Sequence, residues 1–126
     1  MKRDMELIRA LMLSIESKNN IFSFTNLDFE DVNVTGYTDS AIDYHLILLI
    51  EASLIVGKFS PQAGQDRRMI DIERLHWEGH EFLDNARNES VWKDTMKQVK
   101  EKGEGISIAL LTQLLISVTK QHFGLS

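Results

Sequence analysis

The chain has 126 residues, 43% of them hydrophobic and 26% charged, with one proline, seven glycines and no cysteine. That length suits one domain burying about two-thirds of its unfolded surface, and the composition is that of an ordinary globular protein without disulfide or thiolate chemistry. The net charge of −5 is uneven: residues 21–57 sum to −6, so the most acidic stretch contains the helical pattern of residues 39–52.

The opening MKRDMELIRAL carries acidic residues and no cleavage site, and no run approaches the roughly 18 apolar residues of a membrane span; a cytoplasmic protein is expected. Residues 3–17 read as a first helix with Met5, Ile8, Leu11, Met12 and Ile15 as its buried stripe. Asp4 and Glu6 fall where the positive end of the helix dipole favours acids. Residues 21–37 fit neither period, although Ile21, Phe22, Phe24, Leu27 and Phe29 call for burial. Val32-Asn33-Val34 is a candidate strand before the turn at Gly36.

The stretch TDSAIDYHLILLIEASLIV, residues 38–56, is the clearest in the chain. Ile42, Leu46, Leu49 and Ile50 share one face of a helix that Thr38 or Asp39 can cap. Leu54-Ile55-Val56 then switches to β-type residues. Lys58-Phe59-Ser60 continues the strand, Pro61 to Asp66 has turn chemistry, and residues 69–73 return as its partner. A helix opening near Leu75 and running to Ala86 comes next. Asn88 or Ser90 caps another, to Lys102, with Val91, Trp92, Met96 and Val99 inward. Ser107 caps a last helix over 107–123, in which Leu111, Leu114, Leu115 and Val118 form a broad apolar face and Gly124 suits the position past its end.

The pattern Tyr-His-Leu-x-x-Leu-x-x-Ala-x-Leu-Ile resembles the recognition helix and first wing strand of winged-helix proteins. Three segments in order, MKRDMELIR, GYTDSAIDYHLILLIEASLI and LHWEGHEFLDNARNESVW, together resemble the bacterial and phage family called domain of unknown function 2513, and the ending HFGL also fits. The likeness covers Met1 to about Trp92. Two positions depart from the family pattern: Ser53 replaces the usual glycine before Leu-Ile, and His76 replaces a usual threonine. They bear on the tightness of the helix-to-strand turn and on the cap of the following helix. The resemblance implies a small winged-helix-like protein of prophage or mobile-element context, and it supplies no catalytic residues.

Candidate chemistry is sparse. His76 and His80, four apart, invite a metal reading, but Glu follows neither zincin order. The structural reading, in which His80 packs beside Phe82 and Leu83 and bonds a backbone group, is preferred, and no metal or cofactor is expected. Ser40, Tyr44 and His45 on the central helix are candidate base readers. Against them, Asp39, Asp43 and Glu51 share that helix, which has no Lys or Arg to meet phosphate; in the structural alternative Tyr44 covers the core edge and His45 sits half exposed. Lys58, Arg67 and Arg68 on the hairpin are candidate phosphate contacts, or merely charges protecting an edge strand. Lys93, Lys97, Lys100 and Lys102 alternate with acids as a solvated face.

With no nucleophile–base pair, no phosphate loop and no paired carboxylates, an enzyme is not expected. The expected fold is mainly α with a small β-hairpin, a single winged-helix-like domain with its core at about 1–86 and a C-terminal helical extension at about 88–126. The fold argues for a transcriptional regulator binding double-stranded DNA, which ranks first by a small margin; the acidity of the central helix argues for the alternative, a protein-interaction module without DNA binding. A homodimer through the apolar last helix is also expected.

Overall fold

The computed structural model describes residues 2–18, 24–27, 36–60, 68–102 and 105–125. The elements run α1 (Met5–Ser17), β1 (Phe24–Thr25), α2 (Asp39–Glu51), β2 (Ile55–Phe59), β3 (Ile70–Leu75), α3 (Trp77–Ala86), α4 (Glu89–Lys102) and α5 (Ile108–His122). The fold is thus mainly α with a small antiparallel sheet, as the sequence pattern predicts. It divides into two compact units, Met1–His80 and Glu81–Ser126.

In the first unit, α1 begins at Asp4, whose carboxylate accepts from the backbone N–H groups of Glu6 and Leu7 at 3.0 and 3.2 Å. Two free donors of the first turn are met at one residue, and the acid sits at the positive end of the dipole. The buried stripe is Leu7, Ile8, Leu11, Met12 and Ile15; Met5, expected in it, is half-buried, and Leu7, on the opposite flank of the stripe, is buried in addition. Thr38 caps α2 through its hydroxyl, which accepts from Ala41 N–H at 3.1 Å. Ile42, Leu46 and Leu49 form the buried face of α2. Ile50, expected with them, is half-buried, and its Cδ1 lies beside Gly57 of β2.

The turn from α2 to β2 is tight despite the serine. Ser53 N–H donates to Ile50 O at 3.0 Å and Leu54 N–H to Leu49 O at 2.9 Å, the pair of bonds that closes a helix when the residue past its cap is left-handed. Ser53 takes that conformation, with φ of 59°. Leu54 O then accepts from His76 N–H at 2.9 Å, which ties the start of β2 to the end of β3. Gly79 lies against the same carbonyl: a Cβ there would stand 2.0 Å from Leu54 O. Only a glycine lets the first turn of α3 come this close.

The expected hairpin is present. β2 pairs antiparallel with β3, Lys58 opposite Asp71 and Phe59 opposite Ile70, with an irregularity between Val56 and Gly57. A third strand at Phe24–Thr25 was not foreseen. Phe24–Thr25 pairs with Ile72 and Asp71, which gives the sheet the order β1-β3-β2. Two residues are too few to show a period-2 signal, and the strand is held largely by its C-terminal neighbour. Asn26, fully buried, donates to Asp43 Oδ1 at 2.9 Å and to Arg68 O at 3.0 Å, and accepts from Ile70 N–H at 3.1 Å. One amide thus joins β1, α2 and β3 with its polar atoms paired. The expected strand at Val32–Val34 and the hairpin tip at Pro61 to Asp66 lie outside the described residues.

In the second unit, Asn88 caps α4 by accepting from Ser90 and Val91 N–H at 2.9 and 3.1 Å. Val91, Trp92 and Thr95 are its buried residues, Thr95 satisfied by Val91 O at 2.7 Å, while Met96 and Val99 are only half-buried. Phe82 and Trp92 meet edge to face with centroids 6.5 Å apart. α5 is capped by Ser107, as expected, and buries Leu111, Leu115 and Val118; Leu114 is half-buried. Past its end Gly124 has φ of 74°, and Leu125 N–H reaches back to Lys120 O at 2.7 Å. α3 starts at Trp77 and not at Leu75, because Leu75 is still paired with Ile55.

Candidate functional site

Of the candidate base readers, Ser40 and Tyr44 share a face of α2 and His45 does not. His45 is buried, against the expectation of half exposure, and both ring nitrogens are engaged. Its Nε2 accepts from Asp4 N–H at 2.8 Å, and its Nδ1–H donates to Ala41 O at 2.7 Å, bonds that the neutral ring with Nδ1 protonated makes. The ring is an internal tie between the start of α1 and the middle of α2. Tyr44 packs edge-on against it, centroids 5.3 Å apart, and is half-buried. Ser40 is exposed. The Asp4 carboxylate gathers a third partner besides Glu6 and Leu7 N–H: Tyr37, just before α2, bonds it, and burial together with that charge raises the phenol above its ordinary 10.0.

With Ile42, His45, Leu46 and Leu49 turned inward, helical spacing puts Ser40, Tyr44, Ile47, Leu48 and Glu51 on the other side of α2. Ser40 and Glu51 are exposed; Tyr44, Ile47 and Leu48 are half-buried. This outward face is apolar at its centre, polar at its ends, and free of any cation. The sequence did not single out Ile47 and Leu48. Their signal was present in the run Leu46–Ile50, which is apolar at every position and so exceeds the one stripe a helix packed on one side needs.

The hairpin cations are partly answered from within the chain. Lys58 is exposed but stands directly across from Asp71, and the shallow hollow beside it is lined by Val56, Gly57, Lys58, Asp71 and Glu73. Arg68 is half-buried with its guanidinium 5.6 Å from the centre of the Phe59 ring, a stacking distance for a cation on an aromatic face. Arg74 donates to Leu75 O at 3.1 Å. Arg67 lies outside the described residues. Among the described residues no group of three or more His, Asp or Glu is placed to hold a metal ion. His80 is exposed, which overturns the expectation that it packs beside Phe82 and Leu83: those two point into the core from positions two and three further along the helix. His76 is exposed as well, just before the first turn of α3. No helix among the described residues is long and apolar enough to cross a membrane.

Comparison with known proteins adds kinship without chemistry. A protein of Haemophilus influenzae, named only as an uncharacterized protein, is 29% identical over 121 residues, spanning 96% of this chain and 98% of that one. No solved structure matches. The family model described as "Hypothetical protein (DUF2513)" matches residues 2–105. The chain belongs to that family, the one its three sequence segments resemble.

Proposed function

We propose that this is a winged-helix protein whose central helix docks another protein, and that it works by binding and not by catalysis. The observation that carries this reading is the outward face of α2, with Tyr44, Ile47 and Leu48 between exposed Ser40 and Glu51 and no cation. A helix that enters a DNA groove gains most of its non-specific affinity from cationic contacts to phosphate. This face offers none. Aromatic and aliphatic side chains with an acidic rim suit instead a partner helix that is apolar on one side and basic at its edge. Self-association through the C-terminal helix, and a place in prophage biology, belong to the same proposal.

DNA binding is kept as a second reading on one specific ground. The order α1, β1, α2, β2, β3 with sheet order β1-β3-β2 agrees with a winged helix, in which α2 would be the groove helix and the β2–β3 hairpin the wing. In that reading Ser40 and Tyr44 face the bases, and Lys58, Arg67 and Arg68 meet the backbone.

One titration set separates the two. A synthetic amphipathic helix with one Leu face and one Lys face should shift the α2 amide resonances, and Ile47→Glu should abolish the shift. A duplex DNA should bind weakly or not at all, even at low salt. If duplex DNA binds tightly at low salt, and Arg67→Ala with Arg68→Ala weakens it and flattens the salt dependence, the second reading replaces the first.

A further inference from the structure

The end of α5 carries a surface complementary to the outward face of α2. Ile116, Lys120 and Phe123 occur at i, i+4 and i+7, which sets them on one side of that helix. Ile116 is 38% exposed, Phe123 77% and Leu125 60%. These apolar groups are not on a loose tail. Phe123 N–H donates to Thr119 O at 3.1 Å, and Leu125 is pinned by its bond to Lys120 O. Such a closing motif is ordinarily accompanied by an apolar contact between the residue after the glycine and the helix's last turn. Here the matching position in the last turn is Lys120, so Leu125 projects outward. α5 contains no acidic residue; in its last turn Lys120 is an exposed cation, while His122 Nε2 is paired with Asp94 Oδ2 of α4 at 2.9 Å.

On α2 the signs are reversed. Tyr44, Ile47 and Leu48 supply the apolar centre, Glu51 is an exposed acid, and no Lys or Arg occurs anywhere in the helix. The imbalance extends to the two units: residues 1–80 carry the whole net charge of −5, and residues 81–126 sum to zero. Resting on the reading of α2 as a docking face, we infer that its occupant is the end of α5 from a second copy of this chain. Each copy inserts Phe123 and Leu125 against Tyr44, Ile47 and Leu48 of the other, with Lys120 near Glu51. The arrangement is two-fold, so each dimer contains the contact twice. It differs from a pairing of α5 with α5, in which Lys120 would find no carboxylate on the facing helix.

Sedimentation velocity of the full chain at tens of micromolar, with two surface variants and their mixture, tests this. Wild type should run as a dimer. Phe123→Glu with Leu125→Glu should raise the dissociation constant by about a hundredfold or more, as should Ile47→Glu with Leu48→Lys. All four positions are exposed or half-buried, and far-UV circular dichroism with the thermal midpoint shows whether each variant is folded. The decisive sample is the mixture of the two variants. One α2 face and one α5 end remain intact between them, so a heterodimer with a single contact should reappear although neither variant self-associates. A wild type that is monomeric overturns the inference while leaving the peptide titration to judge the docking face itself. A dimer unaffected by the α2 variant, or a mixture that stays monomeric, overturns it as well.

Discussion

Replacing Ser53 by glycine should stabilise the first unit, and the amount can be worked from the backbone. Ser53 holds φ of 59°, and its N–H and that of Leu54 complete the closing bonds of α2. A side chain in the left-handed region crowds the following carbonyl at a cost of about 1–2 kcal/mol, which glycine escapes. Glycine also loses more freedom on folding, which takes back about 0.5–1 kcal/mol. The balance is a gain of roughly 0.5–1 kcal/mol, or about 2–8 °C in the midpoint of a unit of this size. Ser53→Val should move the other way by about 1 kcal/mol or more, since a β-branched residue fits this conformation worst. Urea denaturation monitored by circular dichroism gives both numbers. Amide exchange at Leu54, whose bond to Leu49 O is part of the closure, reports the turn locally. If Ser53→Gly lowers the midpoint while Ser53→Val leaves it unchanged, the turn does not need a left-handed residue and the reasoning fails.

Gly79→Ala should cost at least about 2 kcal/mol, because its Cβ would fall inside contact distance of the Leu54 carbonyl, a backbone group that also holds His76 N–H; a thermal melt within about 2 °C of wild type would refute the close approach. Tyr37 should titrate above 10.0, through burial and the adjacent Asp4 charge. Its neutral form is the one the fold favours, so that contribution to stability is present below 10.0 and is lost as pH rises through the raised value. In a Tyr44→Phe background the single remaining phenol makes the absorbance titration unambiguous. Asp4→Asn should bring the midpoint down, and no change on that substitution would remove the charge from the explanation.

The helices and the hairpin were legible because each arises from local chemistry. Thr38, Asn88 and Ser107 cap where their hydroxyl or amide groups can reach the free N–H donors, and the period changes from 3.6 to 2 at Leu54. β1 was not legible. Its pairing partner, Ile72, is 48 residues away, and the group that anchors it is the side chain of Asn26, whose three partners lie on α2, on β3 and just before β3. His45 was misplaced for a related reason. Sequence spacing puts it beside Tyr44 and on the flank of the apolar stripe, but nothing local says that Asp4 N–H will point at its ring. A polar residue on a stripe flank is decided by the groups that the opposite element presents. Of the candidate contact residues, Ser40, Tyr44 and Lys58 remain at the surface, Arg68 is partly drawn over Phe59, and His45 is withdrawn.

Topology and surface chemistry point to different uses of the same helix, and the surface has to decide. The order of strands and helices is set by burial: Ile42, Leu46, Leu49, Ile55, Ile70 and Ile72 would assemble this way whatever the outward residues were. The fold therefore fixes where α2 lies and leaves open what it touches. Its contacts depend on the residues burial does not claim. On α2 those are Tyr44, Ile47, Leu48 and Glu51, and on the hairpin the exposed Lys58, which stands opposite Asp71 in the strand register. At physiological salt, with a Debye length of about 8 Å, exposed carboxylates near a phosphate backbone repel it and no cation on the helix offsets them. A face of this composition gains by covering its aromatic and aliphatic groups with another apolar surface. That is why the mixture of the two variants, which asks whether one copy of the chain can cover another, tests the chemistry that the fold alone leaves undecided.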